Sequence, residues 1–278
     1  MFTLNCKGKL ISLQTPLVMG IINATPDSFY EGHLHGGKEG ILDIAAAMLT
    51  AGAGILDIGG QSTRPGSSRI DSEEEMQRVL PVITAIHQRF PEALISIDTY
   101  YSKVAAAAVA AGACMVNDIS AGNMDEAMIP VVASLQVPYI CMHMKGSPET
   151  MQQRPHYDDV VKEVLDFFIY KIDECKRAGI KDIIIDPGFG FGKTIPHNFQ
   201  LLSNLVVFKI LERPILAGIS RKGTIYKTLN IDVKEALNGT TVLNTLALQN
   251  GANILRVHDV KEAKEVVLLM QEYKKTAP

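Results

Sequence analysis

Cysteine is sparse in this sequence. Cys6, Cys114, Cys141 and Cys175 stand far apart and form no Cys-x-x-Cys pair, which argues against a structural zinc site and suggests no disulfide scaffold. Long apolar runs are missing as well. No stretch of about 18 apolar residues occurs, so no membrane span is expected. The alanine-rich stretch Val104–Ala111 is an easy helix but far too short for that role. The first residues, MFTLNCKGKLISL, lack the charged-then-apolar pattern of a secretory signal, so a cytoplasmic protein is expected. An excess of one charge is also absent. The net charge of -3 exerts no global pull on nucleic acid or an anionic membrane, so neither is expected as a partner, and any anion site must be local. Two catalytic signatures are missing too. Gly192-Lys193-Thr194 resembles the end of a phosphate-binding P-loop, but Pro187 stands where that motif needs glycine. No Gly-x-Ser-x-Gly elbow or Ser-His-Asp arrangement recommends hydrolysis.

What is present is apolar material for a large core. Hydrophobic residues make up 47% of the 278-residue chain and charged residues 21%, a balance that excludes disorder. One local phrase recurs: a helix-like segment ends in a glycine-containing turn and a short apolar run follows. It occurs at Ala51–Gly60, Ala111–Ser120, Ala178–Gly188 and Asn250–Asp259. Glycine suits the end of a helix, and apolar runs without polar alternation suit parallel strands covered on both faces. Val18–Asn23, Leu94–Asp98, Pro138–Met142 and Pro214–Gly218 bring the number of such runs to eight.

Helical patterns separate them. Ser72 and Glu75 form a capping-box pattern ahead of Met76–Phe90. Asp158–Ala178 and Lys261–Lys274 carry apolar residues at helical spacing. Eight strands alternating with helices predict a single (βα)8 barrel of the TIM type, one domain over residues 1–278. Phe2–Leu13 reads as an extra N-terminal hairpin (residues 1–14) turning near Lys7-Gly8-Lys9 and covering one barrel end.

Each apolar run passes into unusual polar residues. They are Asn23, Gln61-Ser62-Thr63-Arg64-Pro65, Asp98-Thr99, Asn117-Asp118, His143, Asp186, Ser220-Arg221-Lys222, and Arg256 with His258. A barrel assembles its active site at the C-terminal ends of its strands. Asp98 or Asp118 alone would read as a helix cap, but capping does not explain polar groups after every strand. Arg64, Arg221, Lys222, Arg256 and His258 offer positive groups suited to phosphate. Asp98, Asn117 and Asp186 are acceptor-rich, and deeply placed carboxylates need donors, such as the guanidine-like edge of a flat heterocycle. Asp57, inside an apolar run, reads as a structural hydrogen-bonded carboxylate, and His87 as a solvent-facing helical residue. His33 and His35 are weak metal evidence.

These pieces resemble the dihydropteroate synthase family, from Leu17 to Val260. They are MGIINATPDSF (Met19–Phe29), DIGGQSTRPG (Asp57–Gly66), SIDT (Ser96–Thr99), NDIS (Asn117–Ser120) and MHMKGSPETMQ (Met142–Gln152). DPGFGFGK (Asp186–Lys193), GISRK (Gly218–Lys222) and RVHDV (Arg256–Val260) complete the set. The resemblance implies condensation of 6-hydroxymethyl-7,8-dihydropterin diphosphate with para-aminobenzoate, giving 7,8-dihydropteroate and pyrophosphate. It implies pterin contacts at Asp98, Asn117, Ile119, Met142, Asp186, Phe191, Gly218, Lys222 and Arg256. Diphosphate contacts are implied at Asn23, Thr63, Arg64, Arg256 and His258, with Asn23 the residue associated with Mg²⁺. Phe29, Thr63, Arg64, Pro65, Ser220 and Lys222 would surround para-aminobenzoate. Asp98, Lys222, Arg256 and Arg64 would carry the catalytic role, by S_N1-like alkyl transfer.

Sensitivity to sulfonamides and a homodimer formed through Val233–Gln249 and Lys261–Tyr273 are further implications. Departures occur at Gln61, where many members carry an acid, at Glu31-Gly32-His33, and in a loop expected at Thr224–Asn230. Two rival readings are a methyltransferase domain acting on methyltetrahydrofolate and a catalytically silent pterin-binding paralogue. The STRPG, SRK and RVHD groups together favour the synthase.

Overall fold

The computed structural model describes residues 2–24, 38–61, 69–147, 151 and 155–276. The chain opens with a hairpin, β1 (Thr3–Cys6) antiparallel to β2 (Lys9–Ser12). The two turn residues, Lys7 and Gly8, have φ of 53° and 91°, both positive as a tight hairpin turn requires. Leu4 and Cys6 alternate inward and join Leu13 in an apolar cluster with Met19, Ile55, Met115, Ile140, Ile184, Leu216 and Ile254. Those partners lie at or near the starts of the barrel strands, so the hairpin closes the barrel's N-terminal end as the sequence predicts. Its backbone is tied there by Asn5 N, which donates to Asp182 at 2.8 Å.

Eight parallel strands follow: β3 (Leu17–Asn23), β4 (Ile55–Gly59), β5 (Ile95–Asp98), β6 (Met115–Asp118), β7 (Tyr139–Met142), β8 (Ile183–Asp186), β9 (Leu216–Ala217) and β10 (Ile254–Val257). They pair in the order β8-β7-β6-β5-β4-β3-β10-β9, and a parallel bridge between Ile185 and Ile215 nearly closes the ring. Among the described residues the α-helices that follow are α1 (Lys38–Thr50), α2 (Ser72–Arg89), α3 (Ser102–Ala111), α4 (Met128–Leu135), α5 (Val160–Ala178), α6 (Ile195–Ser203), α7 (Gly223–Leu229), α8 (Leu237–Gln249) and α9 (Val260–Thr276). Every helix-to-strand phrase singled out in the sequence holds a glycine at positive φ, from 98° at Gly179 to 126° at Gly112. The main core lies between strands and helices. Ile58, Ile83, Val104, Val132, Phe168 and Val267 are all fully buried in it.

Register sets the level of the polar residues. Asn23 pairs with Gly59, Gly59 with Asp98, and Asp98 with Asn117, while Met142 pairs with Asp186. Asn23, Gly59, Asp98 and Asn117 therefore lie along one register row, and Met142 and Asp186 follow two positions beyond it towards the C-terminal mouth.

Two local expectations need correction. The cap of α2 is Asp71, whose side chain accepts from Glu74 N. Ser72 is already helical, and Glu75 is buried instead of reaching back to the cap. The expected loop at Thr224–Asn230 is largely helix α7, ended by Asn230 in the left-handed region at φ 53°, a conformation asparagine tolerates.

Candidate active site

Strand alternation decides which polar groups meet inside the barrel. On β6, the side chain of Asn117 donates to Asp57 Oδ2 at 3.0 Å. Its neighbour Asp118 is instead saturated locally by Ser120 N, Ser120 Oγ, Gly122 N and the Tyr139 hydroxyl. Asp118 is thus a turn-maker, and Asn117 belongs to the site. Arg256, from β10, completes the inner cluster. Its Nε donates to Asp57 Oδ2 at 2.6 Å and its Nη2 to Asp98 Oδ2 at 2.5 Å. Burial would lower the Arg256 pKa, but the adjacent Asp57 and Asp98 outweigh it and hold the guanidinium charged. Burial raises Asp98, against the pull of Arg256 and Lys222.

A second cluster faces the first. Asp186, at the end of β8, accepts from Gly188 N at 2.7 Å, and burial raises its pKa against the attraction of Lys222. Lys222 Nζ donates to Phe189 O at 2.5 Å and sits 4.6 Å above the Phe191 ring. Burial brings Lys222 down to about 8, although Asp186 opposes this. A methyl group built on Gly218 would stand 3.8 Å from both Asp186 Oδ2 and Lys222 Nζ, and 3.9 Å from Arg256 Cβ. Glycine there keeps open the space those three residues share.

One wall of that space is apolar. Ile119, Met142 and Phe191 pack in one buried cluster with Tyr100 and Met151, so the expected slot residues are brought together. Behind the wall, Lys193 Nζ reaches His143 Nδ1 at 2.9 Å, Gly188 O at 3.0 Å and Phe191 O at 3.0 Å. His143 O, at 3.3 Å, is a fourth and longer contact, and burial lowers the Lys193 pKa against the attraction of Asp186. Burial and the charge of Lys193 push His143 down to about 2, leaving its ring neutral and able to accept at Nδ1. The loops after β7 and β8 touch closely here, since a Cβ on Gly188 (φ 70°) would fall 1.9 Å from His143 O.

The outer end is more exposed. Asn23 and His258 line one hollow with Ile21, Ile22, Ile41, Ile44 and Met48. Ser220 Oγ lies 3.0 Å from His258 Nδ1 and accepts from His258 N at 3.2 Å. Arg221 departs from its expected phosphate role. Its Nε and Nη2 grip Asp259 at 2.8 and 2.7 Å, and its Nη1 donates to Val233 O and Lys234 O. A fork so committed is a structural clamp between the loops after β9 and β10. Phe29, Thr63, Arg64, Pro65, His33 and His35 lie outside the described residues.

This arrangement has known relatives. Residues 19–258 match the pattern of the family described as "Pterin binding enzyme". The Escherichia coli (strain K12) dihydropteroate synthase is 43% identical over 267 residues, 95% of this chain and 94% of that protein. The Xanthomonas albilineans synthase solved with 4-aminobenzoic acid superposes with a TM-score of 0.92 at 40% identity, covering 99% of each chain. The same organism's synthase in complex with 7,8-dihydropteroate gives 0.89 at 38% identity, covering all of both chains. The chain belongs to the dihydropteroate synthases.

In this synthase, sequence reasoning undervalued three residues at the mouth. Asp57 is fully buried, and its Oδ2 organises both Asn117 and Arg256. Lys193 was set aside with the false P-loop, yet it ties two site loops together. Glu75 accepts from Thr99 Oγ1 at 2.8 Å and from Gln61 Nε2 at 3.4 Å. A lysine ending a glycine-rich run, and acids buried in apolar surroundings, were the available signals.

Proposed function

We propose that this synthase joins para-aminobenzoate to 6-hydroxymethyl-7,8-dihydropterin diphosphate, forming 7,8-dihydropteroate and pyrophosphate. The observation that carries this reading is the convergence of Asp98, Asn117 and Asp186 with Lys222 and Arg256 around an apolar slot. Carboxylates and an amide suit the N–H edge of a pterin. Ile119, Met142 and Phe191 would sandwich its flat ring, with Gly218 leaving it room. Lys222, Arg256, Ser220 and His258 run from that pocket towards the more exposed end, where Asn23 and His258 are exposed and a diphosphate would sit. Phe29, Thr63, Arg64 and Pro65 are assigned to para-aminobenzoate, Thr63 and Arg64 also to the diphosphate, and Arg64 to catalysis, by the resemblance alone.

In the reaction, the bond from the pterin methylene to the diphosphate oxygen breaks and its electron pair leaves with pyrophosphate. The lone pair of the aniline nitrogen then forms the new C–N bond, and that nitrogen loses a proton. Because the amine is a neutral nucleophile, strong general-base activation is not the main requirement. Asp98 and Asp186 offer negative charge to the cationic methylene, while the cationic rim favours the departing anion. The transfer is therefore assigned an S_N1-like, dissociative course.

Mg²⁺ fits the outer end. It takes few protein ligands and leans on substrate phosphates and water, and Asn23, an exposed residue that lines the same hollow as His258, would supply one such ligand. Such an ion, when bound, would neutralise charge on the diphosphate.

The barrel and its hairpin are taken to act as one domain. Val242 and Leu246 on α8, with Leu268, Leu269 and Tyr273 on α9, expose an apolar surface that supports a homodimer. Sedimentation would test this, a monomer at micromolar concentration counting against it. Among the described residues no helix is long and apolar enough to cross a membrane. A cytoplasmic location without a membrane or nucleic-acid partner is proposed from the small net charge of -3. The function itself is tested by supplying both substrates with Mg²⁺ and assaying dihydropteroate. Absence of product, together with methyl transfer from methyltetrahydrofolate, would replace this reading with the methyltransferase one.

A further inference from the structure

Residues 61 and 69 flank the stretch that carries Thr63, Arg64 and Pro65, and both are held by one pair of neighbouring side chains. The hydroxyl of Tyr100 donates to Gln61 Oε1 at 2.8 Å. The guanidinium carbon of Arg69 lies 5.0 Å from the centroid of the Tyr100 ring and 5.1 Å from that of Tyr101. Arg69 Nε donates to the Tyr101 hydroxyl at 2.8 Å, and that hydroxyl donates onward to Ile70 O at 2.7 Å. Two flanks eight positions apart in sequence therefore meet on two consecutive tyrosines.

The tyrosines are themselves braced. Their rings meet at 4.7 Å between centroids, tilted by 48°, and Tyr101 N donates to Thr99 Oγ1, which in turn donates to Glu75. Gln61 reaches the same Glu75 carboxylate through Nε2, and Arg78 donates to Gly60 O at 3.0 Å. The Tyr100 ring also belongs to the buried cluster of Ile119, Met142 and Phe191. It therefore touches the pterin wall on one side and both flanks on the other. Cation–π stacking and net hydrogen bonds of this kind are each modest in water, but together they restrict where a chain segment starts and ends.

We infer that Tyr100 and Tyr101 are positioning residues that hold Gln61 and Arg69 in place and thereby set how well this synthase uses para-aminobenzoate. The inference rests on the proposed reaction and adds two residues that need not touch either substrate's reacting atoms.

Steady-state kinetics of Tyr100→Phe, Tyr101→Phe and the double variant test it, with both substrates varied separately. Each single variant keeps its ring and is expected to raise KM for para-aminobenzoate roughly 2- to 10-fold, the range of one net hydrogen bond. The double variant should exceed either single. KM for the pterin diphosphate, whose other assigned contacts at Asn23, Lys222, Arg256 and His258 lie off this stretch, should rise clearly less than KM for para-aminobenzoate, a split that a merely structural loss would not produce. Should a Phe variant fold poorly by thermal melting, Arg69→Met breaks the same clamp from the exposed side and should give the same split. An unchanged KM for para-aminobenzoate, or equal rises for both substrates, would overturn the inference. A wild-type protein that makes no dihydropteroate would remove the reaction, and with it this inference.

Discussion

Arg256 and Asp57 are 199 residues apart in sequence, yet Arg256 Nε donates to Asp57 Oδ2 at 2.6 Å inside the barrel. The same oxygen takes Asn117 Nδ2, so one buried carboxylate aims two of the residues assigned to the pterin. Asp57→Asn removes the negative charge that balances Arg256, and breaking a buried ion pair commonly costs about 3–5 kcal/mol. Here Asp98 remains as a second partner, so a loss of roughly 2–3 kcal/mol is expected in denaturant unfolding. KM for the pterin diphosphate should rise about tenfold or more. A variant matching wild type in both would show that Asp57 does not organise the site.

Lys222 should impose a pH limit on substrate capture. Burial lowers its pKa to about 8, so the charged form is lost as pH rises through that value. The kcat/KM for the pterin diphosphate should accordingly fall above about pH 8, and this quantity reports the free enzyme. Lys222→Ala should start far lower and lack that limb. A flat wild-type profile up to pH 9.5 would contradict the assignment of Lys222 to substrate binding.

Arg221 offers the matching control, because its charge is spent on Asp259 and two carbonyls. Arg221→Ala should lower stability by about 1–2 kcal/mol, a value discounted for partial exposure. Both KM values should change far less than in Lys222→Ala. If the pterin-diphosphate KM rises as steeply in Arg221→Ala as in Lys222→Ala, the guanidinium is a ligand after all.

These two adjacent residues show how much of the site was legible in the sequence. Ser220-Arg221-Lys222 could be placed after a strand, because the apolar run before it is unmistakable, and the same logic located Asp98, Asn117, Asp186 and Arg256. Local pattern could not say which cation faces the ligand. Arg221 turns to Asp259, 38 residues later, whereas Lys222 turns to Phe189 and Phe191. The capping-box expectation at Ser72 and Glu75 failed for a related reason. Asp71 is as good a cap, and Glu75 is claimed by Thr99 and Gln61 from neighbouring strand ends. Asp57 is the buried, hydrogen-bonded carboxylate that the sequence suggests, but an acid within an apolar run shows nothing of its partners across the barrel, Asn117 and Arg256.

Glu75 should leave a signature in the pH dependence of stability. Burial pushes its carboxyl up to about 7 from 4.5, the repulsion of Asp98 adding to it and hydrogen bonds from Thr99 and Gln61 opposing. Between those pH values the folded protein holds a proton that the unfolded chain has released, so this residue's contribution is lost as pH rises through 7. Glu75→Gln lacks that loss. Relative to wild type, the variant should therefore gain roughly 3 kcal/mol between pH 4.5 and pH 8, read from unfolding curves at both. A gap that is constant, or that moves the other way, would contradict this.

The most direct test of the whole account follows both products in one reaction. Wild-type enzyme with pterin diphosphate, para-aminobenzoate and Mg²⁺ should release one pyrophosphate for each dihydropteroate formed, as measured by mass spectrometry and a phosphate-coupled assay. Asp186→Asn, which exchanges an acceptor at the pterin edge for a donor, should lower both products together, with a raised KM for the pterin diphosphate. Pyrophosphate release without dihydropteroate, or an Asp186→Asn variant that uses the pterin diphosphate as well as wild type does, would contradict it.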